Sequence, residues 1–470
     1  MDNCSRLKGV GAAAALMVGL SNSVALASDP AHPRGSMLGW GNATQDGTLD
    51  RSAAQPAGPI ARADRGVRMG VLGVGIAAEI GDVDDFGDDF EAIGDDLDDL
   101  EDTIDRIEAG DFDDPEELVG AIELMQSVDR RANDLLIDLN EDGYLSLGVR
   151  GNHAPFPLEL TNDWLRGSLT LDLDYQIRAQ VDVLADERLR TPFGDLSTDP
   201  GDYEVDGEGN ITFEGQNLED WIADREVNTE EFGGYVRGMQ RRTFALGYGT
   251  TVTHRNGDWF VGGQLAHHDV ELSRVAVGFD DDASDTLSDE WDENTESSTD
   301  WGVDLGVIWE PGQYRLGAQV RNLIEPSFDY PQIEENDLYE AAVSRGEISE
   351  DASYTMERQF AIEGSWNSRG ERWHVGGALD LNAIDGPFAD GSKADEYQWL
   401  TIGTAYEPQS WYWPMWRAGY RQNLSGSELG YVTGGVTLFS AWSIDLAVAT
   451  ESVDSAPRGV MFNTGVELSF

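Results

Sequence analysis

Short runs of alternating apolar and polar residues recur along most of the chain, and turn residues separate them. This alternation is the pattern of a β-strand with one apolar face. After the first 27 residues, no stretch approaches the 18 apolar residues that a membrane-spanning helix needs. The pattern predicts fourteen strands, at residues 67–80, 143–158, 167–185, 233–254, 258–274, 301–310, 314–324, 355–367, 372–384, 397–407, 412–423, 430–440, 442–451 and 460–470.

The connections between these strands alternate between long and short over most of the chain. The long connections are residues 81–142, 186–232, 275–300, 325–354 and 385–396, and the short ones are 255–257, 311–313, 367–371 and 408–410. Bacterial outer-membrane barrels have an even number of strands, short periplasmic turns and longer external loops. We therefore predict an all-β fold, a 14-stranded antiparallel transmembrane β-barrel over residues 66–470, surrounded by outer-membrane lipid in a Gram-negative bacterium.

The last strand carries a pattern of its own. Phe462, Val466, Leu468 and Phe470 fall on one alternating face, and the chain ends on an aromatic residue. Outer-membrane proteins present such a C-terminal strand to the barrel-assembly machinery, which is therefore a predicted partner. Residues 411–416 contain four aromatic side chains, as expected where a strand meets the membrane interface.

The N-terminus predicts export. Arg6 and Lys8 precede an apolar stretch over residues 10–20, and residues 25–27 form an A-x-A cleavage site, so residues 1–27 are predicted to be a secretory signal. Cys4, the only cysteine, lies within it. The mature chain is therefore expected to contain no disulfide and no thiolate metal site.

One long connection has a helical pattern instead of an alternating one. Apolar residues from Phe86 to Ile107 are spaced by four and three, and Pro115 stands where a second helix would begin. Residues 82–139 are therefore predicted to form an acidic helical hairpin inserted in the barrel. The hairpin is either a solvated spacer or a lid or partner-binding arm.

A calcium-loop pattern follows the predicted hairpin. Asp138, Asn140 and Asp142 occupy positions one, three and five, and Gly143 follows at position six. Val149 stands at position twelve, where such loops carry a bidentate Glu. The motif is thus either a weak Ca²⁺ site or a polar helix end that leads into a strand, and no other cofactor is expected.

The charge balance removes one class of function. The chain has 31 basic and 89 acidic residues and a formal net charge of −58. A nucleic-acid-binding protein needs a basic face, so no nucleic-acid partner is expected. Because Lys8 and Lys393 are the only lysines, the composition favours an acidic, halophilic surface.

The histidines do not indicate an enzyme. The six are His32, His153, His254, His267, His268 and His374. None lies in an HExxH motif or beside a GxSxG elbow. His267 and His268 lie within a predicted strand without an implied serine partner. We therefore predict no catalytic residues.

Several segments resemble known outer-membrane proteins. Residues 33–39 and 53–58 resemble the N-terminal stretch of FadL-type transporters of long-chain fatty acids. The acidic insert and residues 316–326 and 378–382 resemble features of the conjugal-transfer TraF group of FadL-like barrels. This resemblance implies that residues 28–65 form a hatch inside the barrel, with Gly35, Gly39, Pro56, Ala57 and Gly58 as its motif residues. Trp40 and Gln55 depart from the family pattern.

Three functions remain open. The first is an outer-membrane channel for small hydrophobic molecules, with residues 28–65 as its hatch. The alternative is a cell-surface or conjugal-transfer protein that acts through the acidic insert and the loops. The third is a soluble exported β-protein. Apolar side chains facing the lumen near the hatch would favour the first.

Overall fold

The structure is a computed structural model of the 470-residue chain. It describes residues 33, 35, 37–40, 49, 55–62, 66–82, 126–127, 130–131, 137–139, 143–184, 203–205, 211–213, 216–217, 233–278, 291, 294–333, 337–350, 352–370, 372–389, 395–408, 410–453 and 455–470. The predicted signal, residues 1–27, lies outside these residues. So does nearly all of the predicted hairpin, of which only residue 82 and the helical residues 126–127, 130–131 and 137–139 are described.

One antiparallel sheet closes on itself to form a barrel with fourteen strand positions, which confirms the predicted 14-stranded antiparallel barrel. Its first and last strands pair with each other, Arg68 opposite Ser469. The strands are β1 (Gly66–Ile80), β2 (Tyr144–His153), β3 (Leu158–Asn162), β4 (Gly167–Leu184), β8 (Gly233–His254), β9 (Gly257–Gly278), β10 (Thr295–Glu310), β11 (Tyr314–Arg321), β14 (Gln359–Asn367), β15 (Trp373–Asp380), β18 (Trp399–Tyr406), β19 (Met415–Asn423), β20 (Gly430–Leu438), β21 (Trp442–Ala449) and β24 (Gly459–Ser469).

The second strand position is divided into two pieces. Both β2 and β3 pair with β1 on one side and with β4 on the other, and residues 154–157 interrupt them. Pro155 and Pro157 lie in this interruption, and proline has no N–H to donate to a sheet ladder. The single strand predicted over 143–158 is thus divided, and its second piece extends to Asn162.

The outer surface of the barrel carries an apolar belt. Large exposed side chains include Leu72, Phe244, Leu265, Leu316, Ile362, Ile402, Val432 and Phe462. Aromatic side chains gather at the end of the barrel that has the short turns, namely Trp164, Trp259, Tyr314, Trp373, Trp411, Tyr412, Trp413, Trp416, Phe439 and Trp442. An apolar belt with an interfacial aromatic girdle is the surface of an outer-membrane barrel.

The wall of the barrel is high on one side and low on the other. We call β4, β8, β9 and β10, with 18, 22, 22 and 16 residues, the tall wall. We call β11, β14, β15 and β18 to β21, with eight or nine residues each, the short wall. A membrane-spanning β-strand needs about 9–11 residues. The tall wall therefore extends well beyond the bilayer at the end that carries the long loops.

The remaining elements are small. They are helices α1 (Met37–Trp40) and α2 (Asp337–Arg345), the 3-10 helix Ile60–Arg62, and the short strands β5 (Tyr203–Val205), β6 (Ile211–Phe213), β7 (Gln216–Asn217), β12 (Ser327–Asp329), β13 (Ser353–Thr355), β16 (Ile384–Asp385), β17 (Glu396–Tyr397), β22 (Ser452–Val453) and β23 (Ala456–Pro457). No helix in the described part of the chain has the length and apolar character needed to cross a bilayer.

Candidate functional site: the lumen and its N-terminal segment

The inner face of the tall wall is polar along its first strand, β4. Along β4, every outward position from Leu169 to Val183 is apolar or aromatic, and every inward position from Ser168 to Asp182 is polar and buried. This strict alternation arises because successive side chains of a strand point to opposite faces. The lumen beside β4 is therefore lined by polar and charged groups.

Two arginines on this inner face hold the loop that joins β15 to β18, residues 381–398. Arg178 donates to both carboxylate oxygens of Asp395, at 3.1 and 3.2 Å, and its guanidinium lies 5.0 Å from the ring of Phe388. Arg237 donates to the carbonyl oxygen of Phe388 at 2.6 Å and forms a buried ion pair with Asp182. The β15–β18 loop is thus attached to the opposite wall of the barrel.

A third arginine holds the loop that joins β11 to β14, residues 322–358. The side chain of Arg274 is fully buried and donates to three backbone carbonyls of this loop. Its Nε donates to Pro331 at 2.8 Å, and its two terminal nitrogens donate to Ser349 at 2.6 Å and Glu350 at 2.8 Å. Both long loops of the short wall are therefore hydrogen-bonded to arginines of the tall wall.

Apolar side chains fill the space between these loops and the tall wall. One cluster joins Met239, Val270 and Leu272 of the wall to Phe328, Tyr330, Tyr354, Met356 and Phe388 of the loops. A second cluster joins Leu184, Tyr235 and Ala276 to Ile333, Leu338, Tyr339, Ala342 and Ile348. The long-loop end of the barrel is therefore covered by inward-folded loops with an apolar interior.

The N-terminal segment contacts the inner face of the barrel at several levels. Leu38 of α1 is fully buried among aromatic residues, namely Tyr397 of the β15–β18 loop and Trp399 and Tyr431 of the short wall. Further along, the backbone N–H of Leu49 donates to Glu467 at 2.7 Å. Residues 55–62 then reach the short-turn end of the tall wall.

Three glycines form a notch in the tall wall that receives the turn at residues 55–58. Gly249, Gly262 and Gly306 are directly opposite one another on β8, β9 and β10. A Cβ at Gly262 would collide with the carbonyl oxygen of Pro56, and one at Gly306 would collide with the side chain of Gln55. The row of glycines therefore permits a close approach that no other residue type would allow.

Polar and apolar contacts hold this turn in the notch. The side-chain amide of Gln55 donates to Glu363 at 3.2 Å, and its Oε1 accepts from the N–H of Ala57 at 3.3 Å. Ala57, Ile60 and Ala61 pack against Phe260 and Ile308 on the wall. Gln55 thus joins the segment to the short wall, while the residues after it pack on the tall wall.

The residues of the predicted hatch motif are distributed along this segment. Gly35 and Gly39 lie near and within α1, and Pro56, Ala57 and Gly58 form the turn in the notch. The structure brings the last three together with Gly249, Gly262 and Gly306, which sequence reasoning did not identify. Their partners are about 200 residues away, and only the strand register shows that they are neighbours.

The structure describes only part of the predicted calcium-loop motif. Asp138 lies in the described helical residues 137–139, whereas Asn140 and Asp142 are outside the described residues. Within the described ranges, no group of three or more His, Cys, Asp or Glu residues could hold a metal ion. The predicted weak calcium site stays a prediction.

Three residues of the predicted assembly signal share one face of β24, and the fourth, Phe470, directly follows the strand. Phe462 and Leu468 are exposed on the outer surface, and Val466 and Phe470 fall on the same alternating positions. Their recognition by the assembly machinery stays a prediction.

His267 and His268 lie on opposite faces of β9. The ring of His267 makes an edge contact with Trp301 on the outside, and His268 Nδ1 lies 3.0 Å from the hydroxyl of Thr243 inside. Each histidine therefore has a packing or hydrogen-bonding role in the wall.

A closed barrel of fourteen antiparallel strand positions, an apolar belt and an aromatic girdle define an outer-membrane β-barrel of a Gram-negative bacterium. Comparison with family models identifies the group to which the chain belongs. The chain belongs to the family of TraF proteins of the F plasmid transfer operon, whose model matches residues 53–380. The TraF family predicted from the sequence is thus confirmed.

Solved structures of similar architecture are distant in sequence. The chain is similar to the deltaS2S3 mutant of the monoaromatic hydrocarbon channel TodX, at 12% identity, covering 93% of this chain and 99% of that chain, with a TM-score of 0.39. It is also similar to a FadL homologue from Pseudomonas aeruginosa, at 9% identity, covering 95% and 97% of the two chains, with a TM-score of 0.38. No curated protein matches the chain.

Proposed function

We propose that this protein is an outer-membrane channel for small hydrophobic molecules, in which residues 28–65 form a hatch. The observation that carries the proposal is the turn at residues 55–58, which is seated in the glycine notch of the tall wall. A segment that packs on the wall through a few local contacts can leave it without disrupting the barrel ladder. In the closed state, the hatch is held by its seat in the notch, by the Gln55–Glu363 hydrogen bond and by the contacts of Ile60.

The apolar surfaces inside the barrel support a hydrophobic solute. The two clusters at the long-loop end, the aromatic pocket around Leu38 and the contacts of Ile60 with Phe260 are all apolar and all buried. Ligand sites are mostly apolar with a few placed polar groups. A solute that enters between the inward-folded loops would contact these apolar surfaces one after another. The polar groups of the tall wall would lie beside its path.

A reversible crosslink tests the hatch directly. An ideal Cβ at Gly249 lies 3.4 Å from the Cβ of Ile60, close to the separation in a disulfide. Because Cys4 is the only natural cysteine and precedes the predicted cleavage site, Gly249→Cys with Ile60→Cys would introduce a single pair. We expect uptake of a labelled long-chain fatty acid to stop when this pair is oxidised and to return with a reductant.

The controls separate the two parts of the proposal. Each single cysteine variant should transport equally under oxidising and reducing conditions, which excludes an effect of the redox treatment itself. If deletion of the gene leaves uptake unchanged, fatty acids are not the solute and aromatic hydrocarbons are tested next. If the crosslinked protein transports as well as the reduced one, the segment is not a hatch.

A further inference from the structure

One arginine of the short wall lacks the acceptors that the other buried arginines have. Arg417 and Arg421 lie four residues apart on the inner face of β19. Arg417 donates to both carboxylate oxygens of Asp445, at 2.9 and 2.8 Å. Arg421 is as deeply buried, yet within the described chain neither its Nε nor its Nη1 has a hydrogen-bond partner.

The position of the Arg421 guanidinium is nevertheless well defined. It stacks on the indole ring of Trp399 with its central carbon 3.7 Å from the ring centroid. The register places Thr401 and Tyr431 on either side of it. Stacking of this kind orients a guanidinium and leaves its in-plane N–H groups free to bind an acceptor. Its donors are thus fixed in direction but not used.

The nearby carboxylates are already engaged. Asp380 accepts from Arg321 at 3.2 Å and from the backbone N–H of Trp399 at 3.1 Å. Glu79 accepts from the hydroxyls of Tyr144 at 2.6 Å and Tyr431 at 2.8 Å. Neither carboxylate forms a hydrogen bond with Arg421, so the charge of its guanidinium is not matched by a direct partner.

A second unused polar group lies on the neighbouring strand. The hydroxyl of Thr433 is buried and has no hydrogen-bond partner among the described residues. Thr433 is two residues from Tyr431 on β20, and Tyr431 is directly opposite Arg421. The Nε and Nη1 donors of Arg421 and the hydroxyl of Thr433 therefore face the same part of the lumen. None of them has a hydrogen-bond acceptor among the described residues.

We propose that Arg421 binds one small monovalent anion inside the barrel, either a halide or the carboxylate of a small solute. Both accept hydrogen bonds from a guanidinium, and such charge-assisted bonds are stronger than neutral ones. A buried cation with unused donors is costly, so an anion that enters the lumen is stabilised there despite the net negative charge of the chain. The proposal does not depend on the transport function, because it concerns binding to the purified barrel.

The test uses the full mature chain in detergent, as wild type and as Arg421→Met, Arg421→Lys and Arg242→Met. Arg242→Met is the matched control, because it removes the same charge from an exposed outer-face ion pair with Asp269. In crystals grown in bromide, we expect an anomalous peak within hydrogen-bond distance of Arg421 in the wild type and the control. At constant ionic strength, bromide affinity measured from thermal unfolding should fall at least ~tenfold in Arg421→Met.

Two further results distinguish the sources of the anion. A peak and a chloride or bromide dependence that vanish in Arg421→Met identify a free halide. A carboxylic acid that copurifies near one equivalent with the wild type, and is missing from Arg421→Met, identifies a solute. Arg421→Lys, which keeps the charge, separates loss of binding from failure to fold. Folded protein that shows neither bromide nor carboxylate at Arg421 would overturn the proposal.

Discussion

The tall wall and the short wall of the barrel have the same alternating pattern but differ in how far their strands extend beyond the bilayer. A nine-residue strand such as β19 is about 30 Å long at ~3.3 Å per residue, which is enough to cross the bilayer, whereas the 22 residues of β9 reach about 73 Å. The short wall therefore ends near the membrane surface. The tall wall continues beyond it as an extended sheet.

The extra height provides a surface on which the long loops fold. The loops of the short wall carry Phe388, Tyr330 and α2, and their acceptors meet Arg178, Arg237 and Arg274 of the tall wall. Without these contacts, the arginines of the tall wall would be buried without acceptors, and the apolar side chains of the loops would be exposed to water. The difference between the walls therefore accounts for the cover at the long-loop end.

The largest effect is expected from breaking an arginine contact on the inner face of the tall wall. Arg237→Met leaves Asp182 buried without its cation, and removing one partner of a buried ion pair costs about 3–5 kcal/mol. The carbonyl of Phe388 also loses its donor. We expect a large drop in the free energy of unfolding and rapid proteolysis within the β15–β18 loop.

The opposite face of the same strand provides the control. Arg242 pairs with Asp269 at 3.7 Å, and both side chains are about half exposed, at 51% and 41%. Exposed ion pairs contribute about 0–1 kcal/mol, so Arg242→Met should leave both unfolding and loop proteolysis nearly unchanged. Equal effects of the two substitutions would show that the inner face has no special role in holding the loops.

The sequence predicted β4 and β8 of the tall wall almost to the residue, but it predicted β9 and β10 only in part. Strands β11 to β21 alternate within the membrane, where the outward side chains must be apolar, so their pattern is clear. On β9 the outward residues become polar at Asp269 and Glu271, above the belt, and the predicted strand ended at residue 274 although it continues to Gly278. β10 likewise begins at Thr295, six residues before the predicted start.

The candidate site was predictable only in part, because its partners come from distant parts of the chain. The turn at residues 56–58 was identified from its resemblance to a family motif. The glycine notch depends on the register of three strands, and a slip by one residue would turn each glycine to the outside. The pairing of Arg178 with Asp395 likewise spans 217 residues and has no local signal.

A methyl group in the notch should release the N-terminal turn. Gly262→Ala places a Cβ against the carbonyl of Pro56, and such overpacking typically costs ~1–3 kcal/mol. We expect faster amide hydrogen exchange over residues 55–62 and a higher conductance in planar bilayers. Gly434→Ala on the short wall is the control, because a Cβ there meets nothing within 4 Å. Unchanged exchange in Gly262→Ala would mean that the turn is not held by close contact with the wall.

The smallest effect concerns a carboxylate on the β15–β18 loop, outside the membrane. Burial raises the pKa of Asp385, and the neighbouring charges of Glu357, Glu396 and Asp395 raise it further. The folded loop therefore holds a proton that the unfolded chain, with a pKa of about 3.9, releases at lower pH. Protection of the loop against hydrogen exchange should fall as pH rises from ~3.9 through the raised value and then level off.

Asp385→Asn should remove this pH dependence, since the amide carries no charge at any pH. The carboxyl is partly exposed, and solvent screening keeps the expected change in exchange below about tenfold. Asp258→Asn, at an exposed site on the short-turn end of the tall wall, should leave the pH dependence of the loop unchanged. If protection of the loop instead rises with pH in the wild type, the four carboxylates do not repel one another as their positions indicate.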